Sequence, residues 1–480
     1  MKRFLMFAVT LLLVFFAGLV GGWFYLRSLL TEGFVVRQLE SSLNARVEVR
    51  ELDIDLFSVI SSIELEGLKL APRDALANKG VPLAERPPIQ NPLIAAESVE
   101  LALSFLPLLS RRFEIQRFVI DRPEIKLVQY QGGNTNLSPL FGPPQIVDGQ
   151  PNPVLQQEQS TEAQPAPAGQ EEPFTIKTLP VSAGLERIGI QNGTLHMSFP
   201  AQGHRLLLGD LNLALTDFDV DPQDLHKHNQ ALLTLNTNMR VFGRSGKESA
   251  LLILRSGGTL RLFEPDTGVI NPDLVYALRL LKGSYINNMS LMRQLSGGMP
   301  ALVRAGIQMQ SIAERADLTA DVDLKVRYKN GRVTLLEQVV FPTVNYDLLL
   351  KPESWLLVTA TAHNFQGRIL ASQAESGRSI EQVDAAVTRN VPGEDPAQYR
   401  KILLGGLLQG DRIALDFIST GPLGQPQIYL KTQIPSLADV IKDSAKTAIK
   451  NQIQKKLQEE LGKEAGKAVQ DGLNKLLKPN

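Results

Sequence analysis

The chain has 480 residues, enough for two or three ordinary domains. Its 50 basic and 50 acidic residues cancel to a formal net charge of zero, which removes the basic excess a nucleic-acid footprint needs. It contains no cysteine, which excludes thiol catalysis, disulfides and cysteine-type zinc sites.

Residues 4–26 carry no charge and as a helix would run about 35 Å, enough to span a bilayer. Lys2 and Arg3 precede this run, so the positive-inside rule places the N-terminus in the cytoplasm and the body outside. Trp23 and Tyr25 fall where an interfacial aromatic belt would lie. The small residues Ala17, Gly18, Gly21 and Gly22 would suit a cleaved signal peptide, but the run is long for one, so residues 1–30 are read as an uncleaved anchor.

Residues 31–44 read as a short amphipathic helix with Phe34, Val35, Leu39 and Leu43 on one side. Alternation then sets in through Val47 and Val49, Leu52 and Ile54, Ile63 and Leu65, and Leu68 and Leu70. The phase slips at Glu51-Leu52 and again at Gly67, the mark of bulged strands. Residues 71–93 show no periodicity and read as a surface loop. From 97 to 141 period two returns in Val99, Leu101 and Leu103, then Ile115, Ile120, Ile125 and Leu127, with turns at Pro107, Arg122-Pro123 and Gly132-Gly133. Residues 142–173 are rich in Pro and Gln and poor in large apolar side chains, so a disordered loop is expected there.

Strands resume after 174. Ile188 and Ile190 precede Asn192-Gly193, read as a hairpin turn, and Leu211 and Leu213 lie on the strand beyond. Spacings of three and four between 272 and 316 predict two or three helices. A second Asn-Gly turn stands at Asn330-Gly331, and strands continue to about 435. Residues 436–480 close the chain with a long amphipathic helix whose narrow apolar stripe favours packing on protein.

Catalytic and metal chemistry is sparse. His226-Lys227-His228 is the one histidine pair at ligand-like spacing, and a polar loop explains it as well. The pairs Asp53/Asp55 and Asp219/Asp221 fit the wet face of a strand. No metal-protease, hydrolase or phosphate-loop motif occurs, so no catalytic residue, metal or cofactor is assigned and the chain is read as a non-enzyme.

The segment RRFEIQRFVIDRPEIKLVQYQGGNTNLSPL, LESSLNARVEVRELDIDLFSVISSIELEGLKL near the N-terminus, Leu185–Phe199 and Gly421–Ile434 together resemble the AsmA-like family of bacterial envelope proteins, the group of AsmA and TamB. Residues 225–400 match only by β-rich texture. The resemblance implies a mainly β fold with helices. It implies an elongated, strongly curved sheet forming a taco-like groove over 31–141 and 174–435, to which the residue patterns above add the N-terminal transmembrane helix, the helical insertion at about 272–316 and the C-terminal helix. It further implies an inner-membrane, single-pass protein with a periplasmic body that carries phospholipid acyl chains between inner and outer membranes. The expected groove lining is Val99, Leu101, Leu103, Ile115, Ile120, Ile125, Leu127, Ile188, Ile190, Leu211 and Leu213. The alternative is an envelope scaffold or outer-membrane protein assembly factor, whose partners would be envelope proteins. A dry core or an open apolar face at those positions separates the two.

Overall fold

The computed structural model describes residues 31–55, 60–104, 106–107, 111–153, 155, 175–179, 182–201, 203–287, 292, 302, 307, 309, 312, 314–359, 361–391, 395–422, 425–431, 434–443, 446–447, 450–456 and 459. The expected membrane helix at 1–30, part of the expected mid-chain helices and most of the expected terminal helix lie outside them. Among the described residues no helix is long and apolar enough to cross a membrane.

The chain is mainly β. In order, the strands are β1 (Ala45–Glu48), β2 (Glu51–Asp55), β3 (Ile60–Pro72), β4 (Ile94–Ser104), β5 (Arg112–Asp121), β6 (Glu124–Val128), β7 (Ile146–Val147), β8 (Gln150–Pro151), β9 (Ser182–Phe199), β10 (His204–Val220), β11 (Asn229–Phe242) and β12 (Glu248–Phe263). There follow β13 (Ile270–Leu280), β14 (Tyr285–Asn287), β15 (Arg315–Asp317), β16 (Val322–Lys329), β17 (Arg332–Leu335), β18 (Val339–Pro342), β19 (Tyr346–Leu350), β20 (Trp355–Leu357), β21 (His363–Ala371), β22 (Leu408–Gln409), β23 (Arg412–Gly421) and β24 (Gln427–Leu430). They divide between two compact units, an N-terminal one of residues 1–286 and 320–337 and a C-terminal one of 287–319 and 338–480.

In the N-terminal unit the strands meander. β1 and β2 lie along β3, β3 pairs with β4, and β4 pairs with β5 and β6, all antiparallel. β9 joins β5 and β6 in parallel, after which β10, β11, β12, β13, β16 and β17 follow antiparallel. The helix Glu32–Ser42 forms as expected, capped by Thr31, whose side chain accepts from the Phe34 N–H. Its Val36 and Leu39 pack with Val47, Val49, Leu65, Leu68 and Leu70.

Four residues with left-handed backbone mark a row across neighbouring strands: Gly67 (φ 64°), Arg122 (45°), Asn192 (52°) and Asp210 (50°). The Arg122 N–H donates to the Gln191 carbonyl, and the Asn192 N–H donates to Asn212 Oδ1. Each insertion of one residue bends the strand and restores the apolar phase beyond it. Asn192-Gly193 is therefore not the hairpin that local sequence suggests: β9 runs straight through it, because β10 pairs with both flanks. Asn330-Gly331 does turn, between β16 and β17.

Other sequence readings are corrected. The segment 71–93 contains the short helix Ala75–Asn78. Residues 142–153 are ordered rather than loose: β7 and β8 form a small hairpin, and buried Asn152 donates to the Pro144 carbonyl. Residues 270–280 are strand β13, not helix, because Leu274, Tyr276, Leu278 and Leu280 alternate and pair on both sides. Further on, Met292, Leu302, Ile307, Met309 and Ile312 are almost fully buried in the core of the C-terminal unit.

That unit is closed. Ile369 and Ala371 of β21 and Ile413, Leu415 and Phe417 of β23 face Val383 and Val387 of the helix Gln373–Asn390 and Leu403 and Leu404 of the helix Pro396–Leu404. The Phe417 ring lies over Gly367, where an added Cβ would sit 3.0 Å from it and 2.2 Å from the Leu349 carbonyl oxygen. Residues 437–443 are helical, and Leu437, Val440 and Ile441 pack on this core, so the terminal helix begins against protein.

His363 is buried at the end of this core. Its Nδ1–H donates to the Gly421 carbonyl (2.6 Å), and its Nε2 accepts from the Ser419 hydroxyl (2.7 Å). Burial lowers its pKa from the ordinary 6.5, only partly offset by the Gly421 bond. A depressed folded pKa gives stability that is present above the unfolded value and lost as pH falls through the folded one. The C-terminal unit should therefore lose melting temperature on acidification below pH 6.5, and His363→Gln should flatten that slope. An unchanged slope in the variant would assign the effect to other groups.

Candidate functional site

The N-terminal unit presents one face whose apolar side chains run in register from strand to strand. In a paired sheet, directly opposed residues share a face. One rung passes through Leu65, Val99, Ile120, Ile190, Leu213 and Leu235. The next passes through Ile63, Leu101, Phe118, Ile188, Leu215 and Leu233, then across Gly258 to Tyr276 and Val326. Beyond the row of bulges, Ile94, Ile125, Leu195, Leu208, Met239 and Leu252 make another. Leu127, Met197, Leu206, Val241 and Ala250 follow at the far edge.

All eleven sequence-assigned residues lie on these strands. Val99, Leu101, Ile115, Ile120, Ile125, Leu127, Ile188, Ile190 and Leu213 occupy rung positions, as does Leu103, paired with Ile115. Leu211 stands opposite Gly193 beside a register shift. Their exposure sorts them into two groups. Leu103 (3% exposed), Ile115 (8%) and Leu211 (7%) are buried, the first two with Leu185 in a small cluster. The other eight are half-buried. Leu404 and Phe417 of the C-terminal unit, where helices cover the sheet, are by contrast fully buried.

Sequence reading missed the continuation of this face through Leu233, Leu235, Met239, Leu252, Leu278 and Leu324. Apart from Leu278, whose spacing reads as helical, their alternation was visible, but only the pairing shows that it stays in phase with Leu213. Tyr276 is the polar exception on the face. Its ring covers Gly258, and its hydroxyl receives the Ser256 hydroxyl hydrogen bond (2.7 Å). Burial raises its pKa, opposed by that bond, so it stays a neutral phenol.

The opposite face is polar. Arg327 forks onto Asp273, Arg279 onto Asp323 (2.6 Å), and Arg117 reaches Glu100 (3.2 Å). Near one end of the strands, Arg112 crosses Gly184 to reach Asp219 (3.1 Å), which also holds His228 (2.5 Å). Burial opposes ionisation of Asp219, but the His228 bond and the Arg112 charge outweigh it and lower its pKa; the same bond raises that of His228. His226 takes a different carboxylate, Asp266 (3.3 Å), so the two histidines of the pair do not converge. Among the described residues no group of three or more histidine or carboxylate side chains is arranged to hold a metal. Asp53 and Asp55 are exposed alternate positions of β2.

Compared with known proteins, residues 4–244 match the model of the AsmA family. No curated protein and no solved structure matches.

Proposed function

The chain belongs to the AsmA family, and from that premise we propose that it is a non-enzymatic lipid carrier whose N-terminal unit holds phospholipid acyl chains against its apolar face. The supporting observation is the registered apolar ladder, half-buried at most of its positions, from Leu65 to Leu235 and from Ile63 to Val326. An acyl chain laid along such rungs gains about 0.8 kcal/mol for each methylene removed from water. No single rung is indispensable, so the chain can shift from one to the next without a specific contact. A bonded active site is unnecessary for such work. In this reading residues 4–26 anchor the protein in the inner membrane and the body lies in the periplasm, where lipid passes towards the outer membrane.

The second reading, an envelope scaffold or assembly factor, draws its support from the closed C-terminal unit, whose helices pack on its sheet around a buried core. Native mass spectrometry of the full chain, purified in mild detergent and then freed of it, tests the first. Phospholipid should remain bound at a defined stoichiometry. A spectrum of bare protein, from preparations with intact melting behaviour, would reject lipid carriage and leave the scaffold reading in front.

A further inference from the structure

The two ends of the strands β10 to β13 differ in charge and in how that charge is neutralised. At one end lie the turns after Val220 and after Phe263. Most cations there are held by carboxylates: Arg112 and His228 on Asp219, Lys227 on Asp224, His226 on Asp266, Arg327 and Lys329 on Asp273; Lys177 donates instead to the Asp266 carbonyl. At the other end lie the turns after Phe199, Phe242 and Leu280. These bring His204, Arg205, Arg244, Lys247 and Lys282 to one lip, all exposed. Their acidic neighbours are already engaged. Glu248 accepts from the Tyr285 hydroxyl and lies 3.8 Å from Arg240, and Asp321 accepts from the Lys282 backbone N–H. Arg205 lies over the Phe242 ring, and neither it, Lys247 nor Lys282 forms an ion pair among the described residues.

This lip borders the apolar face directly. His204 pairs with Phe199, and the rung of Met197, Leu206, Val241 and Ala250 follows at once. Lys247 and Lys282, which form no ion pair among the described residues, stand at the edge of an apolar rung and match an amphiphile with an anionic head.

Resting on the lipid-carrier reading, we propose that this lip is a headgroup site that selects anionic phospholipids. The phosphate and its net negative charge lie against Lys247 and Lys282, the charge of Arg205 adds to the field from the reverse side of the same edge, opposite Phe242, and the acyl chains lie along the apolar face. The lip therefore orients each lipid, heads to this end and away from the acidic turns at the other.

The test uses the full chain in mixed micelles holding equal phosphatidylglycerol and phosphatidylcholine, with retained lipid counted by mass spectrometry after gel filtration. Native protein should enrich phosphatidylglycerol, by about fivefold for each basic residue engaged, the equivalent of about 1 kcal/mol per Lys or Arg. Enrichment should collapse at about 1 M salt, where the Debye length is about 3 Å. The triple variant Arg205→Glu, Lys247→Glu, Lys282→Glu should retain as much total lipid but in equal proportions. The neutral triple variant Arg205→Gln, Lys247→Gln, Lys282→Gln should fall between, and serves if charge reversal impairs folding. Lipid bound in the same ratio by native and variant proteins would overturn the headgroup site while sparing the carrier reading. No lipid bound by the native protein would overturn both. Loss of enrichment to inorganic phosphate, but not to chloride at matched ionic strength, would make the lip a phosphate site and overturn its assignment to lipid.

Discussion

Leu404→Asp should unfold the C-terminal unit, whereas Leu213→Asp should leave the N-terminal unit folded and strip it of lipid. Leu404 is fully buried between helix and sheet, so a carboxylate there has no water and no partner, and the cost is several kcal/mol. Such a loss is a large share of the stability of any ordinary domain. Leu213 is only half-buried, so an aspartate can turn its head to solvent. An acyl chain crossing that rung would have to desolvate the charge. Melting temperature and bound lipid measured on the same preparations decide the matter. If Leu213→Asp unfolds as completely as Leu404→Asp, the face is a closed core and the carrier reading fails. Leu103, at 3% exposure, is too buried to serve as the probe.

Glu40→Ala should destabilise the N-terminal unit by about 3–5 kcal/mol, the scale for stranding one member of a buried ion pair. Glu40 is 5% exposed, near the C-terminal end of the first helix. Both carboxylate oxygens accept from Arg86 Nη1 at 2.9 Å, and Oε1 also accepts from the Val47 N–H at 3.0 Å. Arg73 meanwhile donates to the Glu40 carbonyl. One side chain thus ties the helix to β1 and to the segment between β3 and β4. Its removal leaves a buried guanidinium and an unpaired backbone donor. The double variant Glu40→Leu, Arg86→Leu removes both charges and should recover part of the loss. Urea titration that finds Glu40→Ala within about 1 kcal/mol of the native chain would mean that water reaches the pair.

Much of the apolar face was legible because period-two alternation needs no tertiary knowledge. Val99, Leu101, Ile120 and Leu213 declare their side of a strand by spacing alone. Even the slip at Gly67 was readable, since an odd spacing between Leu65 and Leu68 keeps both on one face only through an inserted residue. Asn192-Gly193 could not be read correctly. The same dipeptide turns the chain at 330 and merely bulges it at 192, and the difference lies in whether a neighbour such as β10 spans the site. The strand at 270–280 was lost because Leu274, Leu278 and Leu281 fit a helical spacing while Leu274, Tyr276, Leu278 and Leu280 fit a strand; β12 and β16 on either side decide it. Exposure was also invisible, so Leu103 and Leu213 looked alike. The cationic lip went unseen because its members come from three turns far apart in the chain.

The parallel junction of β5 and β6 with β9 sets an order of assembly. On either side of it the strands are antiparallel neighbours, most of them joined by short turns, and such contacts form early because little chain must be closed to make them. The junction itself must close about 50 residues, an entropy cost that grows with the logarithm of loop length. Two locally formed meanders therefore exist before the apolar face is continuous. Until β9 docks, each exposes an unpaired edge, β5 with β6 on one and β9 on the other, so the interval before closure is when the chain is most open to aggregation and to rescue by a chaperone.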